Sequence, residues 1–303
     1  RNPRKFGDIS SPSLYVYDYH AKCFSRTEKR YTPPMIERTK SKFYNTAPDW
    51  LFFSVRSVWT VAHPKRNPKI VLPRIRGYSR HRFGERTMYS HNPTRFPEPV
   101  EKDRLNKYKA PGFVELEEGD TVMDVGAFIG HFTIPASKIG KKIISIEPDP
   151  ENRYYLEKNT KTLDNVTVLN KAAWNEDTEL TLKRPDKKGM ASDASLLNPS
   201  GSAGLEEEYP VEAARIDSLA PKIGIDTIDF LKMDGEGVEP EILEGCENIK
   251  IRKVAVAASK ERNGEDTIEP VKDILEQQGY ETKVSSELDD YSWDNPYIVF
   301  GKL

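Results

Sequence analysis

A glycine-containing turn is the first feature of the sequence whose residue types and spacing could do chemistry. A short apolar run leads into Asp124, and Gly126, Ala127, Phe128 and Gly130 follow within six positions. Gly126 permits a tight turn, but Phe128 breaks the G-x-G-x-x-G dinucleotide pattern, and no Walker phosphate loop is present. Asp124 would repel phosphate and suits a ligand that carries an amine or a sulfonium. The turn therefore argues against a pyrophosphate ligand, with an ordinary strand–helix turn as the alternative interpretation.

An acidic residue follows the next apolar run. Glu147 stands 21 positions after Gly126, at the end of the run 142–146, and Pro148 and Asp149 come directly after it. A carboxylate at such a strand end can accept hydrogen bonds from both hydroxyls of a ribose. The alternative is a charge that stabilises the start of the next helix, a role that Asp149 fits better as a candidate N-cap. The glycine turn and Glu147 together predict an adenosine-type ligand.

The segment after the third apolar run has small and amide side chains. Ala172 and Ala173 would leave space for a flat ring, and Asn170 could form hydrogen bonds with the edge of an adenine. We interpret Trp174 as an ordinary core residue. The segment is therefore predicted to lie beside the base of the nucleoside.

Carboxylates and glycines follow the apolar run 227–233. Ligands of open α/β sheets bind at the carboxyl ends of the strands, so Asp234, supported by Glu236, is predicted to orient or deprotonate an acceptor hydroxyl. Acids at a helix N-terminus are the alternative, and Glu239 fits that description. His131 could act as a base, since imidazole titrates near neutral pH, or be a partly exposed helix residue.

These residues can meet only if the strands before them lie side by side. From about residue 101, apolar runs alternate with helical segments, which is typical of a mostly parallel sheet covered on both faces. The last two runs have only a 12-residue connection, which an antiparallel hairpin makes most simply. The sequence thus predicts a doubly wound α/β domain with seven strands, one of them reversed. The strands are predicted at 121–125, 142–146, 165–169, 227–233, 253–258, 280–284 and 297–303, and helices at 129–139, 150–162 and 266–278.

Four segments together resemble the FkbM family of methyltransferases. They are residues 124–130, 146–150, 170–174 and 228–245. The last segment has the pattern D-x-E-G-x-E-P-x-[IV]-L and is the most specific. The resemblance covers roughly residues 100–303 and implies a Rossmann-like class I methyltransferase fold, S-adenosylmethionine as cofactor and an oxygen nucleophile, often on a sugar or secondary metabolite. The family often has Asn or Tyr near the first glycine turn, where this chain has Phe128 and His131.

Residues 1–100 differ in composition and are predicted to form a basic, aromatic, loop-rich extension of a domain at 101–303. The first 110 residues hold 24 of the 46 lysines and arginines but only 9 of the 48 acidic residues. Such a region suits an anionic partner: an acidic glycan, a lipid-linked sugar at a membrane surface, or RNA. A solvated basic face is the alternative, and no recognised RNA-binding motif is present. The densest stretch contains Arg74, Arg76, Tyr78, Arg80, His81, Arg82, Phe83, Arg86 and Tyr89.

Composition excludes several classes of protein. No apolar run approaches the roughly 18 residues that a spanning helix needs, so at most peripheral membrane contact is expected. Cys23 and Cys246 have no metal-ligand neighbours and form no multi-bridge framework, so we expect no metal and a reducing, cytoplasmic location. The sequence predicts an S-adenosylmethionine-dependent O-methyltransferase acting on a hydroxyl or carboxyl of a glycan or related metabolite. An RNA 2′-O-methyltransferase and a non-catalytic binding module are the alternatives.

Overall fold

The computed structural model describes residues 69–75, 78–83, 86–90, 100–185, 196, 206–262, 264–288, 291 and 297–303, all within a unit formed by residues 47–303. Arg76 and Cys23 lie outside the described residues. Cys246 is a buried free thiol. Within the described ranges, no helix has the length and apolar character needed to cross a membrane.

Strands and helices alternate through most of the described chain. The strands are β1 (Lys69–Ile75), β2 (Tyr78–Phe83), β3 (Arg86–Ser90), β4 (Thr121–Val125), β5 (Lys142–Ile146), β6 (Val166–Leu169), β7 (Ala172–Ala173), β8 (Thr178–Pro185), β9 (Glu206–Ala214), β10 (Thr227–Met233), β11 (Lys250–Ala257), β12 (Glu281–Val284) and β13 (Ile298–Lys302). The helices are α1 (Val100–Lys107), α2 (Thr133–Ala136), α3 (Pro150–Thr160), α4 (Ile216–Lys222), α5 (Glu239–Glu244) and α6 (Ile268–Gln277).

Seven strands form the central sheet, in the order β12-β13-β11-β10-β4-β5-β6. β13 runs antiparallel to both β11 and β12, and the other neighbouring strands run parallel. The predicted doubly wound, Rossmann-like sheet with a C-terminal antiparallel hairpin is confirmed. In β4 and β5, every residue after the first is buried, as expected for strands with helices on both faces. β4 and β10 are direct neighbours, with Asp124 opposite Lys232, so the two predicted site turns start side by side.

The helix predicted at 129–139 is much shorter in the structure. Only Thr133–Ala136 is α-helical. Phe128 and Gly130 have φ angles of 52° and 97°, which are left-handed values that an α-helix does not include. The chain therefore makes a turn around Gly130 before the helix begins. Side-chain periodicity indicates which residues face the core, and it says nothing of the hand of the backbone.

A second, three-stranded sheet has the order β7-β9-β8. Its long strands β8 and β9 pair antiparallel from Thr178 opposite Ala213 to Pro185 opposite Glu206. Alternation of apolar and polar residues in the sequence predicts strands at 178–183 and 209–216. Helix α4 begins at Ile216, the last residue of the second predicted strand, and is not anticipated by the sequence pattern.

The described part of the basic segment forms a third sheet, in the order β1-β2-β3. Met88 of β3 is buried in a cluster with Ile129 and Tyr155. Asn159 of α3 accepts a hydrogen bond from the backbone N–H of Tyr89 at 2.7 Å. Its amide nitrogen donates to the carbonyl oxygens of Tyr89 at 3.0 Å and Ile129 at 2.9 Å. The sheet is thus attached directly beside the glycine turn.

Candidate active site

The glycine turn after β4 is closed against both neighbouring strands. The backbone N–H groups of Gly126 and Ala127 donate to the carbonyl oxygen of Ile146, each at 3.1 Å. Gly126 has a φ of 68°, and a Cβ at this position would overlap the carbonyl oxygen of Asp234. Only glycine combines this backbone conformation with such a close approach. The turn and the start of the acidic loop are therefore parts of one edge of the sheet.

Asp124 lies inside the domain, and its side chain is fully buried. The Lys232 ammonium stands 2.9 Å from Oδ1, and the Thr133 hydroxyl donates to Oδ2 at 2.6 Å. Lys232 also donates to the carbonyl oxygens of Val125 at 3.0 Å and Gly126 at 2.8 Å. Asp124 therefore already has a positive partner within the protein and supports the turn through it. Direct contact of Asp124 with a charged ligand stays a prediction.

Glu147 closes β5 and is buried behind the turn. Its Oε2 accepts a hydrogen bond from the backbone N–H of Phe128 at 2.7 Å, and its Oε1 accepts one from Asp149 at 3.0 Å. Burial and the charge of Asp149 raise the pKa of Glu147 to about 8, although these two hydrogen bonds act in the opposite direction. A hydrogen bond thus joins two of the predicted cofactor residues, Glu147 and Phe128.

Replacing Glu147 by glutamine is expected to flatten the pH dependence of stability of the ligand-free protein. A carboxyl whose pKa rises from 4.5 to about 8 on folding stabilises the folded state below the unfolded value, and this contribution is lost as the pH rises through the folded value. Thermal unfolding of wild type should therefore show a loss of stability between about pH 4.5 and 8. Glu239, with a pKa of about 7, contributes with the same sign and remains in the variant. An unchanged slope in Glu147→Gln would contradict the raised pKa of Glu147.

Asp149 caps helix α3, as predicted. Its Oδ1 accepts hydrogen bonds from the backbone N–H groups of Glu151 at 2.9 Å and Asn152 at 2.8 Å. Its Oδ2 faces the Arg184 guanidinium at 3.6 Å, which connects strand β8 to the start of α3. Pro148, half-buried, joins this cap to the end of β5. The residues after β5 thus fix the position of α3 beside Glu147.

The segment predicted to contact adenine is more closely packed than expected. Ala172 and Ala173 are buried in β7, opposite Ala213 and Ala214 of β9. Ala172 lies in a buried cluster with Leu182, Val211 and Ala213, and Ala173 lies in the main core cluster, so protein side chains fill the space next to them. Asn170 is exposed. Contact of these three residues with adenine stays a prediction.

Asp234 follows β10, and two residues from the end of α1 hold its carboxylate. Oδ2 accepts hydrogen bonds from Lys107 Nζ at 2.9 Å and from Tyr108 Oη at 2.6 Å, and the side chain is 23% exposed. Burial alone would raise the pKa of Asp234, but the charges of Lys107 and Lys232 and the hydrogen bond from Tyr108 outweigh it and lower the pKa to about 2. Asp234 is therefore an ionised hydrogen-bond acceptor and a weak base.

The other acids of the loop have different surroundings. Glu239 is buried and accepts hydrogen bonds from two backbone N–H groups of the loop, both at 3.0 Å, so it shapes the loop. The carboxylate oxygens of Asp234, Glu236 and Glu261 lie within 4.8 Å of one another, a spacing at which carboxylates could share a divalent cation. Asp234 is already paired with Lys107. The absence of a resident metal stays a prediction.

Backbone strain marks both predicted site turns. In the described part of the chain, the non-glycine residues with left-handed φ are Phe128 at 52° and Glu236 at 56°. Such residues cost on the order of 1–3 kcal/mol each and cluster at functional sites. The ring of His131 lies edge-on to that of Phe128, with 5.3 Å between their centroids. His131 is half-buried at this turn, and its action as a base stays a prediction.

Sequence patterns miss the cations and the phenol of this edge. Lys232 has a detectable signal, because a lysine inside an apolar parallel strand must have a buried partner. Lys107 and Tyr108 have none, since they contact Asp234 across 127 and 126 positions of the chain. Only the fold brings them to the site.

The fold and this edge define a Rossmann-like methyltransferase domain that uses S-adenosylmethionine. The model of the Methyltransferase FkbM domain matches residues 124–282, which is more than half of the chain. The chain belongs to the FkbM methyltransferase family. The match begins at the glycine turn and includes both Glu147 and the acidic loop after β10.

Several proteins are similar over parts of their length. Ribosomal RNA small subunit methyltransferase A of Wigglesworthia glossinidia brevipalpis is 35% identical over 69 residues, which are 23% of this chain and 26% of that enzyme. The crystal structure of a methyltransferase FkbM from Methylobacillus flagellatus KT is similar with 18% identity and a TM-score of 0.43, over 68% of this chain and 48% of that one. The M. jannaschii TYW2 structure in complex with AdoMet has 17% identity and a TM-score of 0.40, over 76% and 87%.

Proposed function

We propose that this chain transfers the methyl group of S-adenosylmethionine to an oxygen of a hydroxylated carbohydrate or related metabolite, with a carboxyl oxygen as the other candidate acceptor. The observation that carries the proposal is the position of Asp234. Its ionised, partly exposed carboxylate stands at the carboxyl edge of the sheet, and its backbone carbonyl oxygen lies directly against Gly126 of the predicted cofactor turn. An acceptor bound by Asp234 would therefore lie beside the methyl donor.

The residues at the ends of β4 and β5 fit this cofactor. Glu147 is a buried carboxyl, Gly126 and Phe128 of the turn in front of it are half-buried, and a ribose hydroxyl can replace one of its backbone hydrogen bonds. The strained Phe128 and the left-handed Gly130 shape the turn that would enclose the methionine end. When bound, S-adenosylmethionine supplies an electrophilic methyl group on a sulfonium. The protein's contribution is to bind and orient.

The properties of Asp234 favour a role in orienting the acceptor hydroxyl over a role in removing its proton. With a pKa of about 2, its carboxylate takes a proton only weakly at neutral pH, but it accepts a hydrogen bond from a hydroxyl well. Holding nucleophile and methyl group in line supplies the larger part of the rate in such reactions. We therefore assign Asp234 to orienting the acceptor, with Glu236 in support and His131 as the candidate base.

Glu147→Ala is expected to weaken S-adenosylmethionine binding by about 10–100-fold, because a buried polar group that loses its hydrogen-bond partner costs about 1–3 kcal/mol. Isothermal titration calorimetry measures the affinity. Glu157→Ala, which removes a more exposed glutamate of the neighbouring helix α3, is the matched control and should bind like wild type. Asp234→Asn should retain the affinity and lose turnover. Absence of binding by wild type would reject the enzyme and leave a non-catalytic binding module.

RNA is the second candidate acceptor, as a 2′-O-methylation. It is favoured by the basic composition of the first 110 residues and by the partial match to a protein named as a ribosomal RNA methyltransferase. Incubation of oligosaccharide and RNA pools with labelled S-adenosylmethionine distinguishes the two acceptors. RNA binding that falls steeply with salt would support the second, and no binding at low salt would reject it.

The third sheet, formed by strands β1, β2 and β3 of the basic segment, is proposed to recruit the acceptor. Through Met88 and Asn159, it is attached beside the glycine turn, so an anionic substrate held there would lie near the site. We place the functional division of the chain near residue 100, with recruitment before it and methyl transfer after it. A reducing, cytoplasmic compartment is proposed because Cys246 is a free thiol.

A further inference from the structure

The end of helix α1 reaches the acceptor edge of the sheet. Lys107 is the last residue of α1, and Tyr108 follows it. Both side chains donate to the same atom, Oδ2 of Asp234. Neither residue lies in the segment matched by the FkbM domain, which begins at residue 124. The contact therefore adds groups from outside that segment to its acidic loop.

The two carboxylate oxygens of Asp234 have different surroundings. Oδ2 receives both donors, whereas Oδ1 accepts no hydrogen bond from the described residues. The side chain is 23% exposed, so a ligand at the edge can reach it. An ionised oxygen with open lone pairs favours a hydrogen-bond donor. Lys107 and Tyr108 therefore fix Oδ2, while Oδ1 is available to a ligand at the edge of the sheet.

Both donors are held in place by packing. The Tyr108 ring lies edge-on to Phe132 with centroids 5.4 Å apart, and Phe132 stacks on Phe230 of β10 at 6.0 Å. The carbonyl oxygen of Lys107 accepts a hydrogen bond from Tyr291 Oη at 2.7 Å. Burial raises the pKa of Tyr108 well above its usual range, so the phenol remains a donor. A site needs such rigid support to fix the geometry of its reactive groups.

Lys232 does not duplicate the action of Lys107. Its ammonium is bound to Asp124 and to two carbonyl oxygens of the glycine turn. It stands 5.4 Å from the centroid of the Tyr108 ring. The two lysines therefore have different partners at this edge of the sheet. Lys232 binds the glycine turn, and Lys107 binds the carboxylate of Asp234.

We propose that Lys107 and Tyr108 are positioning residues for methyl transfer, which hold Oδ2 of Asp234 so that Oδ1 accepts the hydrogen bond of an acceptor hydroxyl. The inference rests on the proposed O-methyl transfer and narrows its substrate class. A carboxylate acceptor would place a second negative charge against Asp234 and offers no proton to Oδ1. The acceptor group is therefore a hydroxyl. Its oxygen forms a bond to the methyl carbon as the carbon–sulfur bond breaks, S-adenosylhomocysteine leaves, and the hydroxyl proton goes to the candidate base His131, so the product is a methyl ether.

The test compares variants of the full chain with labelled S-adenosylmethionine and an oligosaccharide pool from cell extract. Tyr108→Phe and Lys107→Met are expected to lower kcat by about 10–100-fold, because small misplacements of a reacting group have effects of this size. The Kd for S-adenosylmethionine should stay within a factor of about three of wild type. Lys107→Arg, which keeps the charge, should recover most of the rate.

Two controls make the same chemical changes elsewhere. Lys109→Met removes a more exposed lysine whose partner is Glu115. Tyr280→Phe removes a buried phenol that donates to the carbonyl oxygen of Ile251 at 2.8 Å. Both should turn over like wild type. Should Lys107→Met fail to fold, Tyr108→Phe and Lys107→Arg decide the question.

The chemical stability of the labelled product is a second readout. Mild alkali releases label from a methyl ester and leaves a methyl ether intact, so the label should survive. Alkali-labile product, or Tyr108→Phe with the kcat of wild type, would overturn the inference and leave the proposed methyl transfer standing. No transfer to the pool by wild type would overturn the proposed acceptor class, and this inference with it.

Discussion

Lys232→Met is expected to lower the free energy of unfolding by about 3–5 kcal/mol, the usual effect of removing one partner of a buried ion pair. The substitution leaves the fully buried carboxylate of Asp124 without its cation. It also removes the donor to the carbonyl oxygens of Val125 and Gly126, which lie at the glycine turn, the predicted cofactor site. Urea unfolding measures the loss, and the affinity for S-adenosylmethionine should fall with it.

The double variant Asp124→Asn with Lys232→Met is the first control. It should be less destabilised than Lys232→Met alone, because it no longer contains an unpaired buried charge. Lys253→Met is the second control, since Lys253 of β11 is also buried and pairs with Asp120 before β4, away from the predicted site. That variant should lose stability and retain affinity for S-adenosylmethionine.

A loss of less than about 1 kcal/mol in Lys232→Met, as for an exposed pair, would contradict the role assigned to this lysine. Equal loss of cofactor affinity in Lys232→Met and Lys253→Met would show that the effect on binding is a general consequence of lower stability. Comparing Lys232→Met with Lys253→Met therefore distinguishes a specific effect of Lys232 on the glycine turn from a general loss of stability.

Features that depend on neighbouring residues could be predicted from the sequence. β4, β5 and β10 have the predicted bounds, because a mainly apolar run that ends at a glycine or an acid is typical of a buried parallel strand. The N-cap at Asp149 depends only on the N–H groups two and three positions later. The glycine turn and Glu147 at the end of β5, which together predict an adenosine-type ligand, are also local features of the sequence.

Features that depend on the approach of distant segments could not be predicted. Gly126 is predicted to permit a tight turn, but the sequence does not show that the carbonyl of Asp234, which follows β10, lies against it. Ala172 and Ala173 are predicted to leave open space, whereas other side chains of their buried clusters fill it. Small side chains permit either outcome, and only the tertiary structure decides between a ligand and neighbouring side chains.

The charged residues around Asp234 also could not be predicted from local sequence. The sequence places Asp234 among acids and suggests either orientation or proton removal. The decision depends on Lys107 and Tyr108, which bind its Oδ2, and on Lys232 nearby. Lys232 stands two positions before Asp234 in the sequence, but no pattern near residue 234 indicates the presence of Lys107 and Tyr108. The local sequence therefore identifies the carboxylate but leaves its protonation behaviour undetermined.

Gly126→Ala is expected to lower the free energy of unfolding by about 2–5 kcal/mol. A left-handed backbone with a Cβ costs about 1–2 kcal/mol, and forcing extra atoms into a packed site adds about 1–3 kcal/mol. The new Cβ would overlap the carbonyl oxygen of Asp234, so the end of β10 must shift. The affinity for S-adenosylmethionine should fall by at least about tenfold, since the turn and Glu147 would no longer keep their geometry.

Gly224→Ala is a closely matched control for this substitution. Gly224 has a φ of 70°, against 68° for Gly126, and a Cβ there would meet nothing within 4 Å. Both variants reduce the freedom of the unfolded chain equally, so that contribution cancels in the comparison. The excess loss in Gly126→Ala then measures the contact with Asp234. An equal loss of stability in both variants, with S-adenosylmethionine bound as by wild type, would contradict this expectation. Gly126 would then be needed only for its left-handed backbone conformation, and the close approach of the glycine turn to the acidic loop would have no effect on binding.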